Sequence, residues 1–163
     1  MLVVGTSCSV DSKSLYQSAS AEFGPVRPGV EVLLEDSLHL VTGKRVGLLT
    51  NQTGVDASGR SSIDRIFEHD DIDLVALFSP EHGIRGTAEA GETVEDGRDP
   101  ETGLPIHSLY GSVRKPTPEM LEGIDVLLVD YQDIGARYWT YASTMTLAME
   151  AAGEAEIPVV VLD

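Results

Sequence analysis

Four short apolar runs, separated by segments with helix signals, constrain the fold of this chain more than any other feature. The runs are nearly continuous rather than alternating, which is typical of strands covered by helices on both faces. They are Arg45 to Thr50, Leu74 to Phe78, Val126 to Val129 and Val159 to Leu162. Strands that alternate with helices form a parallel sheet through right-handed crossovers. The sequence therefore predicts an α/β fold with a doubly wound parallel sheet.

The segments between the runs predict the helices. Apolar residues at helical spacing, small polar residues at helix starts and glycines past helix ends mark them. The first predicted helix runs through Val30, Leu33, Leu34, Leu38 and Val41 and is stopped by Gly43. The second is capped by Ser61 and Ser62 and runs through Ile63, Ile66 and Phe67. The third runs from Thr117 and Pro118 to Gly123, and a longer fourth helix runs from Tyr141 to Ala152, with Gly153 near its end.

The chain divides near residue 27. Residues 1–27 are rich in Ser and Ala without a period, which predicts a tail. Leu2 to Cys8 resembles the end of a bacterial lipoprotein signal that lacks its basic region, and a disordered start is the alternative. Residues 28–163 predict one domain that stops as a strand reaches its carboxyl end, so we expect a longer protein. The stretch from Gly83 to Lys115 predicts a functional loop, because it is too long for an ordinary connection.

The net charge of the chain limits the classes of partner that it can bind. The chain carries 27 acidic and 11 basic residues, a formal net charge of −16. Such an excess of negative charge disfavours nucleic acid and anionic lipid surfaces as partners. No apolar run approaches the ~18 residues of a membrane span, so no transmembrane segment is expected.

Several familiar chemistries lack their motifs. The sequence has no GxGxxG, GxxxxGK[ST], GxSxG, HExxH or paired CxxC. The four histidines are scattered without the spacing of metal ligands. We therefore predict no metal site and no cofactor.

Carboxylates at the strand ends are the remaining candidates. Glu81 follows the second strand, Pro80 restricts the backbone before it, and Gly83 permits an unusual turn just after it, so the side chain is expected to be held in a fixed direction. A rigid carboxyl group at the carboxyl edge of a parallel sheet suits general acid work; a helix cap or a pair with Arg85 is the alternative. Asp130 or Asp133 could be the second carboxyl group of a glycosidase, or else a strand-end anchor and an N-cap.

Cations and aromatic rings are further candidates for ligand binding. Arg85, Arg98, Arg114 and Arg137 are notable in so acidic a chain, because a substrate carboxylate would need a cation. Tyr138 and Tyr141 flank Trp139, and aromatic faces of this kind stack on sugar rings. The alternative is a packed aromatic helix start.

Five ordered sequence blocks resemble one known family, the NamZ-type exo-β-N-acetylmuramidases, long catalogued as the domain of unknown function DUF1343. The resemblance runs from about Pro28 to Asp163. Its blocks are Thr50-Asn51-Gln52-Thr53-Gly54, Ser79-Pro80-Glu81-His82-Gly83-Ile84-Arg85-Gly86, Thr102-Gly103-Leu104-Pro105 with Ser108-Leu109-Tyr110-Gly111, Pro116-Thr117-Pro118-Glu119-Met120-Leu121, and Asp130 with Gln132-Asp133-Ile134-Gly135-Ala136-Arg137.

The resemblance implies a Rossmann-like catalytic domain that is followed in the family by a smaller C-terminal domain. It implies release of terminal N-acetylmuramic acid from the non-reducing ends of peptidoglycan fragments, in cell wall turnover, by a secreted or periplasmic protein. Glu81 would be the catalytic acid, with His82 and Asp133 as further catalytic candidates. The substrate-binding candidates are Asn51, Gln52, Arg85, Gln132, Arg137, Tyr138 and Tyr141. Tyr131 departs from the pattern, because we expect an aliphatic residue there.

Two rival functions stay open at this point. A non-catalytic saccharide-binding module would use the same aromatic and amide side chains without a general acid. A nucleotide-dependent α/β enzyme is disfavoured by the absence of a glycine-rich turn after any strand.

Overall fold

The computed structural model describes residues 26–86 and 96–162. Residues 1–25 of the predicted tail, Cys8 included, lie outside that part. The elements are α1 (Gly29–Asp36), a 3-10 helix (Leu38–Leu40), β1 (Arg45–Thr50), α2 (Ser62–Phe67), β2 (Asp73–Ser79), β3 (Gly97–Arg98), β4 (Pro105–Ser108), β5 (Val126–Asp130), α3 (Tyr141–Glu154) and β6 (Val159–Val161). The strands form a single six-stranded sheet.

The sheet is almost entirely parallel, with the strand order β3-β4-β2-β1-β5-β6. Only β3 runs antiparallel to its neighbour. The chain runs from β1 outward through β2 on one side and later returns to β5 on the other side, so the strand order reverses at β1. In open parallel sheets such a reversal opens a crevice beyond the carboxyl ends of the strands, where ligands bind. The loops after β1 and β5 border this crevice.

Helices cover both faces of the sheet, which confirms the predicted α/β fold class. Side chains of β1 alternate between the two faces, because successive residues of a strand point to opposite sides. Val46 and Leu48 pack with α1 and α2 on one face. Leu49 packs on the other face in a cluster that includes the small residues Ala148 and Ala152 of α3. Both β1 and β5 are therefore buried on both sides, which is why their sequences are continuously apolar.

The second helix begins as predicted. The Ser61 side chain accepts a hydrogen bond of 3.2 Å from the Ile63 backbone N–H, and α2 starts at the next residue, Ser62. Such a cap satisfies one of the N–H groups that a helix start leaves without a partner.

The first helix is shorter than predicted. Its α-helical part ends at Asp36, and the chain continues through the 3-10 helix to Val41. Leu38 and Leu40 still pack on the same cluster as α1, and Val41 is buried in it. The spacing of the apolar residues therefore indicated the shared buried face correctly, although the hydrogen bonding changes after Asp36.

The predicted helix from Thr117 to Gly123 was wrong. The segment is a series of turns in which Met120 and Leu121 donate to the carbonyl groups three residues earlier, those of Thr117 and Pro118. Two prolines and the left-handed Gly123, at φ +73°, confine the segment to too few residues for an α-helix.

The predicted loop from Gly83 to Lys115 contains two strands that the sequence did not reveal. β4 pairs with β2 over only three residues and contains Pro105 and His107, so it lacks a continuous apolar run. β3 is only two residues long. Residues 87–95 of this stretch lie outside the described part of the chain. Across the two described ranges, no helix combines the length and the apolar character needed to span a bilayer.

Candidate active site

Buried polar residues form a row at the carboxyl edge of the sheet. Thr50 of β1 pairs in register with Asp130 of β5, and Ser79 of β2 pairs with Ser108 of β4. Each of the four is buried. The loops that leave this row carry most of the candidate residues, so the strand register brings distant parts of the sequence to one edge.

Glu81 lies two residues beyond the end of β2 and is half-buried. His82 next to it has φ +74°, and Gly83 has φ +78°. A left-handed conformation is uncommon for a residue other than glycine, and such strain concentrates at functional sites. The predicted turn is present: the Gly83 N–H donates to the Pro80 carbonyl at 3.3 Å, and the left-handed conformation begins at His82.

Two hydroxyl groups donate to the Glu81 carboxylate. Thr140 Oγ1 lies 2.8 Å from Oε2 of Glu81. The Tyr110 hydroxyl also hydrogen-bonds to Glu81, and this bond is the main reason that the pKa of Tyr110 is raised, while the nearby Arg114 cation opposes the rise. The carboxylate is thus held from two sides, by the loop after β4 and by the residue before α3.

Tyr141 brings the other candidates together. It is 3 % exposed at the start of α3. Burial raises the pKa of its hydroxyl, the neighbouring amide side chains of Asn51 and Gln52 oppose the rise, and the charges of Glu81 and Asp133 add to it. The amides of Asn51 and Gln52 and the carboxylates of Glu81 and Asp133 therefore all act on the Tyr141 hydroxyl, although they come from three different loops.

Asn51 is fixed in one orientation beside Tyr141. It is 1 % exposed, and its Oδ1 accepts from the backbone N–H of Thr53 at 2.9 Å and from the Thr53 hydroxyl at 2.7 Å. Its Nδ2 faces the Tyr141 hydroxyl, yet it makes no hydrogen bond of ordinary geometry within the described part of the chain.

Asp133 and Trp139 also present buried polar atoms without partners among the described residues. Oδ1 of Asp133 accepts from the Gly135 N–H at 2.6 Å, whereas Oδ2 is buried and has no partner there. The same is true of the indole Nε1 of Trp139, whose ring packs edge-on against Tyr141 at a centroid distance of 5.7 Å.

Asp130 is a structural anchor at the end of β5. Its side chain hydrogen-bonds to the Ser62 hydroxyl at the start of α2, and its carbonyl oxygen accepts from Thr50 Oγ1 at 2.5 Å. Burial raises the pKa of Asp130, and the bond from Ser62 opposes the rise. Gly54 allows this contact, because a Cβ there would lie 2.7 Å from the Asp130 carbonyl oxygen.

Arg85 is committed to a structural ion pair. Its Nε lies 2.9 Å from Oδ1 of Asp99, which is fully buried, and a second guanidinium nitrogen lies 3.2 Å from Oδ1 of Asp64. Burial raises the pKa of Asp99, but hydrogen bonds from Arg85 and Thr102 outweigh it and leave the pKa lowered. The charge of Arg85 is therefore already paired with two carboxylates of the chain.

The remaining candidates lie nearer the solvent. Gln132 is exposed and lines a cleft of about 330 Å³ beside Thr53 and Tyr131, and Glu81 is not among the residues that line it. Arg137 is exposed, and the Tyr138 side chain is 83 % exposed. In residues 26–86 and 96–162, no three His, Cys, Asp or Glu side chains are grouped so as to hold a metal ion.

Two residues around the site, Tyr110 and Thr140, were not among the sequence candidates, and both contact Glu81. Trp139, which the sequence suggested only for the stacking face of its ring, contacts Tyr141. Tyr110 stands two residues after β4, as Glu81 stands two residues after β2, and those strands are neighbours. Recognition of β4 as a strand would have placed Tyr110 beside Glu81.

The fold and the site define an α/β protein of Rossmann-like architecture with a carboxylate-centred site beyond the carboxyl ends of its strands. The family model described as "Exo-beta-N-acetylmuramidase NamZ, N-terminal" matches residues 46–163. The chain belongs to this family.

Similar proteins agree with this assignment. The peptidoglycan β-N-acetylmuramidase NamZ of Bacillus subtilis (strain 168) is 48% identical over 161 residues, which are 99% of this chain and 38% of that protein. Two solved DUF1343 family proteins of Bacteroides fragilis NCTC 9343 have TM-scores of 0.77 and 0.70, with 52% and 32% identity. They match 84% and 86% of this chain, which covers 34% and 35% of theirs. The chain thus spans less than half the length of each relative.

Proposed function

We propose that this chain supplies the catalytic acid of an exo-β-N-acetylmuramidase, which releases terminal N-acetylmuramic acid from the non-reducing ends of peptidoglycan fragments. One observation carries the proposal: the Glu81 carboxylate is held by Tyr110 and Thr140 at the crevice edge of a chain that belongs to the NamZ family. The relative in Bacillus subtilis is named a peptidoglycan β-N-acetylmuramidase, which supports the same substrate class here.

In the proposed reaction Glu81 donates a proton to the glycosidic oxygen as the bond from that oxygen to C1 of muramic acid breaks. Positive charge develops at C1 and the ring oxygen, and a water molecule finally supplies the hydroxyl group at C1. The proton that the water gives up replaces the one that Glu81 donated, so the acid is restored for the next cycle. The Tyr110 and Thr140 hydroxyls stabilise the carboxylate that forms as the proton leaves. His82 holds the strained turn that aims the acid.

The other candidates bind the sugar in this proposal. Asn51, Gln52 and Tyr141 contact its polar groups, and the exposed ring of Tyr138 stacks on a sugar face. Arg137 pairs with the lactyl carboxylate that distinguishes muramic acid from glucosamine, because Arg85 is already neutralised by Asp99. Gln132 lies at the rim of the site.

Product analysis tests the proposal. The full-length protein is incubated with peptidoglycan fragments that end in N-acetylmuramic acid, and with matched fragments that end in N-acetylglucosamine, and free sugars are identified by mass spectrometry. We expect free N-acetylmuramic acid from the first set only. Binding of the fragments without release of any sugar would contradict the proposal and favour a saccharide-binding module.

A further inference from the structure

Three buried polar atoms without hydrogen-bond partners in the described part of the chain belong to residues that either pack against Tyr141 or shift the pKa of its hydroxyl. They are Nδ2 of Asn51, Nε1 of Trp139 and Oδ2 of Asp133. A buried donor or acceptor that loses water without gaining a partner destabilises the fold, so such atoms are rare and call for an explanation. Their concentration beside one residue of the crevice points to a bound ligand.

The direction of each atom is fixed by its neighbour in the same side chain. The Thr53 backbone N–H can only donate, so the Asn51 atom that accepts from it is the oxygen, and the NH₂ group faces away. In the same way the Gly135 N–H holds one oxygen of Asp133 and leaves the other to face its surroundings. Trp139 Nε1 can only donate. The set therefore comprises two donors and one acceptor.

The chemistry of this set matches a secondary amide. An amide oxygen accepts two hydrogen bonds, and the amide N–H donates one. A hydroxyl group presents both functions on a single oxygen, whereas these three atoms come from the loop after β1 and from two separate positions, Asp133 and Trp139, of the segment between β5 and α3. A secondary amide carries its acceptor and its donor on two different atoms, so it can bond to all three protein atoms more readily than a hydroxyl group can.

We propose that these three atoms bind the 2-acetamido group of the sugar. Asn51 Nδ2 and Trp139 Nε1 donate to the acetyl carbonyl oxygen, and Asp133 Oδ2 accepts from the amide N–H. This assignment rests on the proposed function, because it takes the ligand to be an N-acetylated sugar. It makes Asp133 and Trp139 specificity-determining residues and assigns the buried face of the crevice to the acetamido group.

Binding measurements with two sugars test the assignment without relying on catalysis. Calorimetry with the full-length protein gives the dissociation constants of N-acetylmuramic acid and of its analogue with a 2-hydroxyl group. We expect the wild type to prefer the acetamido sugar by at least about 100-fold, because a site built for hydrogen bonds rejects a ligand that lacks them. No detectable binding of N-acetylmuramic acid at millimolar concentration would overturn the assignment.

Two nearly isosteric variants sharpen this test. Asp133→Asn keeps the acceptor for Gly135 but turns the free acceptor into a donor, and Trp139→Phe keeps an aromatic ring without the N–H. Each should lower the preference by about tenfold, with little change for the 2-hydroxyl sugar. Equal weakening of both sugars, or an unchanged preference, would overturn the assignment. Tyr131→Phe is the control, because its hydroxyl is already bonded to the Tyr141 carbonyl at 2.9 Å; it should leave the preference unchanged.

The outcomes separate this assignment from the proposed function. If the preference falls in both variants but the wild type releases no N-acetylmuramic acid, the acetamido site stands and the proposed hydrolysis fails. If the wild type releases the sugar but neither variant changes the preference, the hydrolysis stands and the acetamido site fails.

Discussion

Thr140 Oγ1 donates to the Glu81 carboxylate at 2.8 Å and joins the residue before α3 to the loop after β2, across 59 positions of the chain. Thr140 is the N-cap of α3, yet its side chain makes no capping bond to its own helix. The hydroxyl is directed to the acid instead. An anion near a helix N-terminus is also stabilised by the helix dipole. The start of α3 therefore both orients Glu81 and favours the carboxylate that proton transfer produces.

Removal of either donor to Glu81 should change the pH dependence of hydrolysis. Tyr110→Phe and Thr140→Val each delete one hydroxyl that stabilises the carboxylate, so a higher pH is needed to ionise the acid. We expect the alkaline limb of the kcat/KM profile to move to higher pH and kcat to fall by about tenfold. Tyr138→Phe removes an exposed hydroxyl and should leave the limb in place. If the alkaline limb does not move in either variant, these hydroxyl groups do not influence the ionisation of Glu81, and the prediction is wrong.

Loss of the Arg137 cation should relax sugar selectivity. The lactyl carboxylate is present in muramic acid and absent from glucosamine, so Arg137→Ala should reduce the ratio of kcat/KM values for the two termini by about tenfold. Arg60→Ala is the matched control, because Arg60 pairs with Glu68. An undiminished preference for muramic acid in Arg137→Ala would remove this residue from recognition.

The ion pair of Asp99 and Arg85 should stabilise the fold only above acidic pH. The pKa of Asp99 is lowered from its ordinary 3.8, so its contribution is fully present above that value and is lost as the pH falls through the lowered pKa. At pH 7 Asp99→Asn should cost about 3 kcal/mol, because it removes the buried one of the two carboxylates that pair with the Arg85 guanidinium. Thermal melting from pH 7 to pH 2.5 measures the difference from the wild type. Asp70→Asn, at an exposed site, is the control. A difference that persists unchanged at the lowest pH would contradict the assignment.

The sequence predicted the elements that carry a signal in their own residues. β1, β2, β5 and β6 were found because each is an apolar run, and α2 because Ser61 is a good N-cap. β4 was missed, since its strand character depends on pairing with β2 rather than on its own residues. The turns after Thr117 were taken for a helix because Thr117, Pro118 and Gly123 resemble helix ends, although they leave too few residues between them for an α-helix.

The candidate site was predictable to the extent that it follows the strand ends. Glu81, Asn51 and Asp133 each come within three residues of a strand that the sequence revealed. Thr140 and Trp139 precede a helix, and only the folded chain brings them to the other loops. Arg85 was a candidate because it is a cation in an acidic chain, and its buried partner Asp99 lies in the stretch that predicted only a loop.

The proton transfer from Glu81 is tested most directly by substrates that differ only in the leaving group. A muramyl disaccharide needs a proton on the departing sugar, whereas a dinitrophenyl glycoside of N-acetylmuramic acid leaves as a stable phenolate. In the full-length protein, Glu81→Gln should lower the rate on the disaccharide by about 1,000-fold and the rate on the dinitrophenyl glycoside by less than about tenfold. Glu122→Gln, at an exposed site, should change neither rate. Equal losses on both substrates, or an unimpaired rate on the disaccharide, would contradict a role for Glu81 as the general acid.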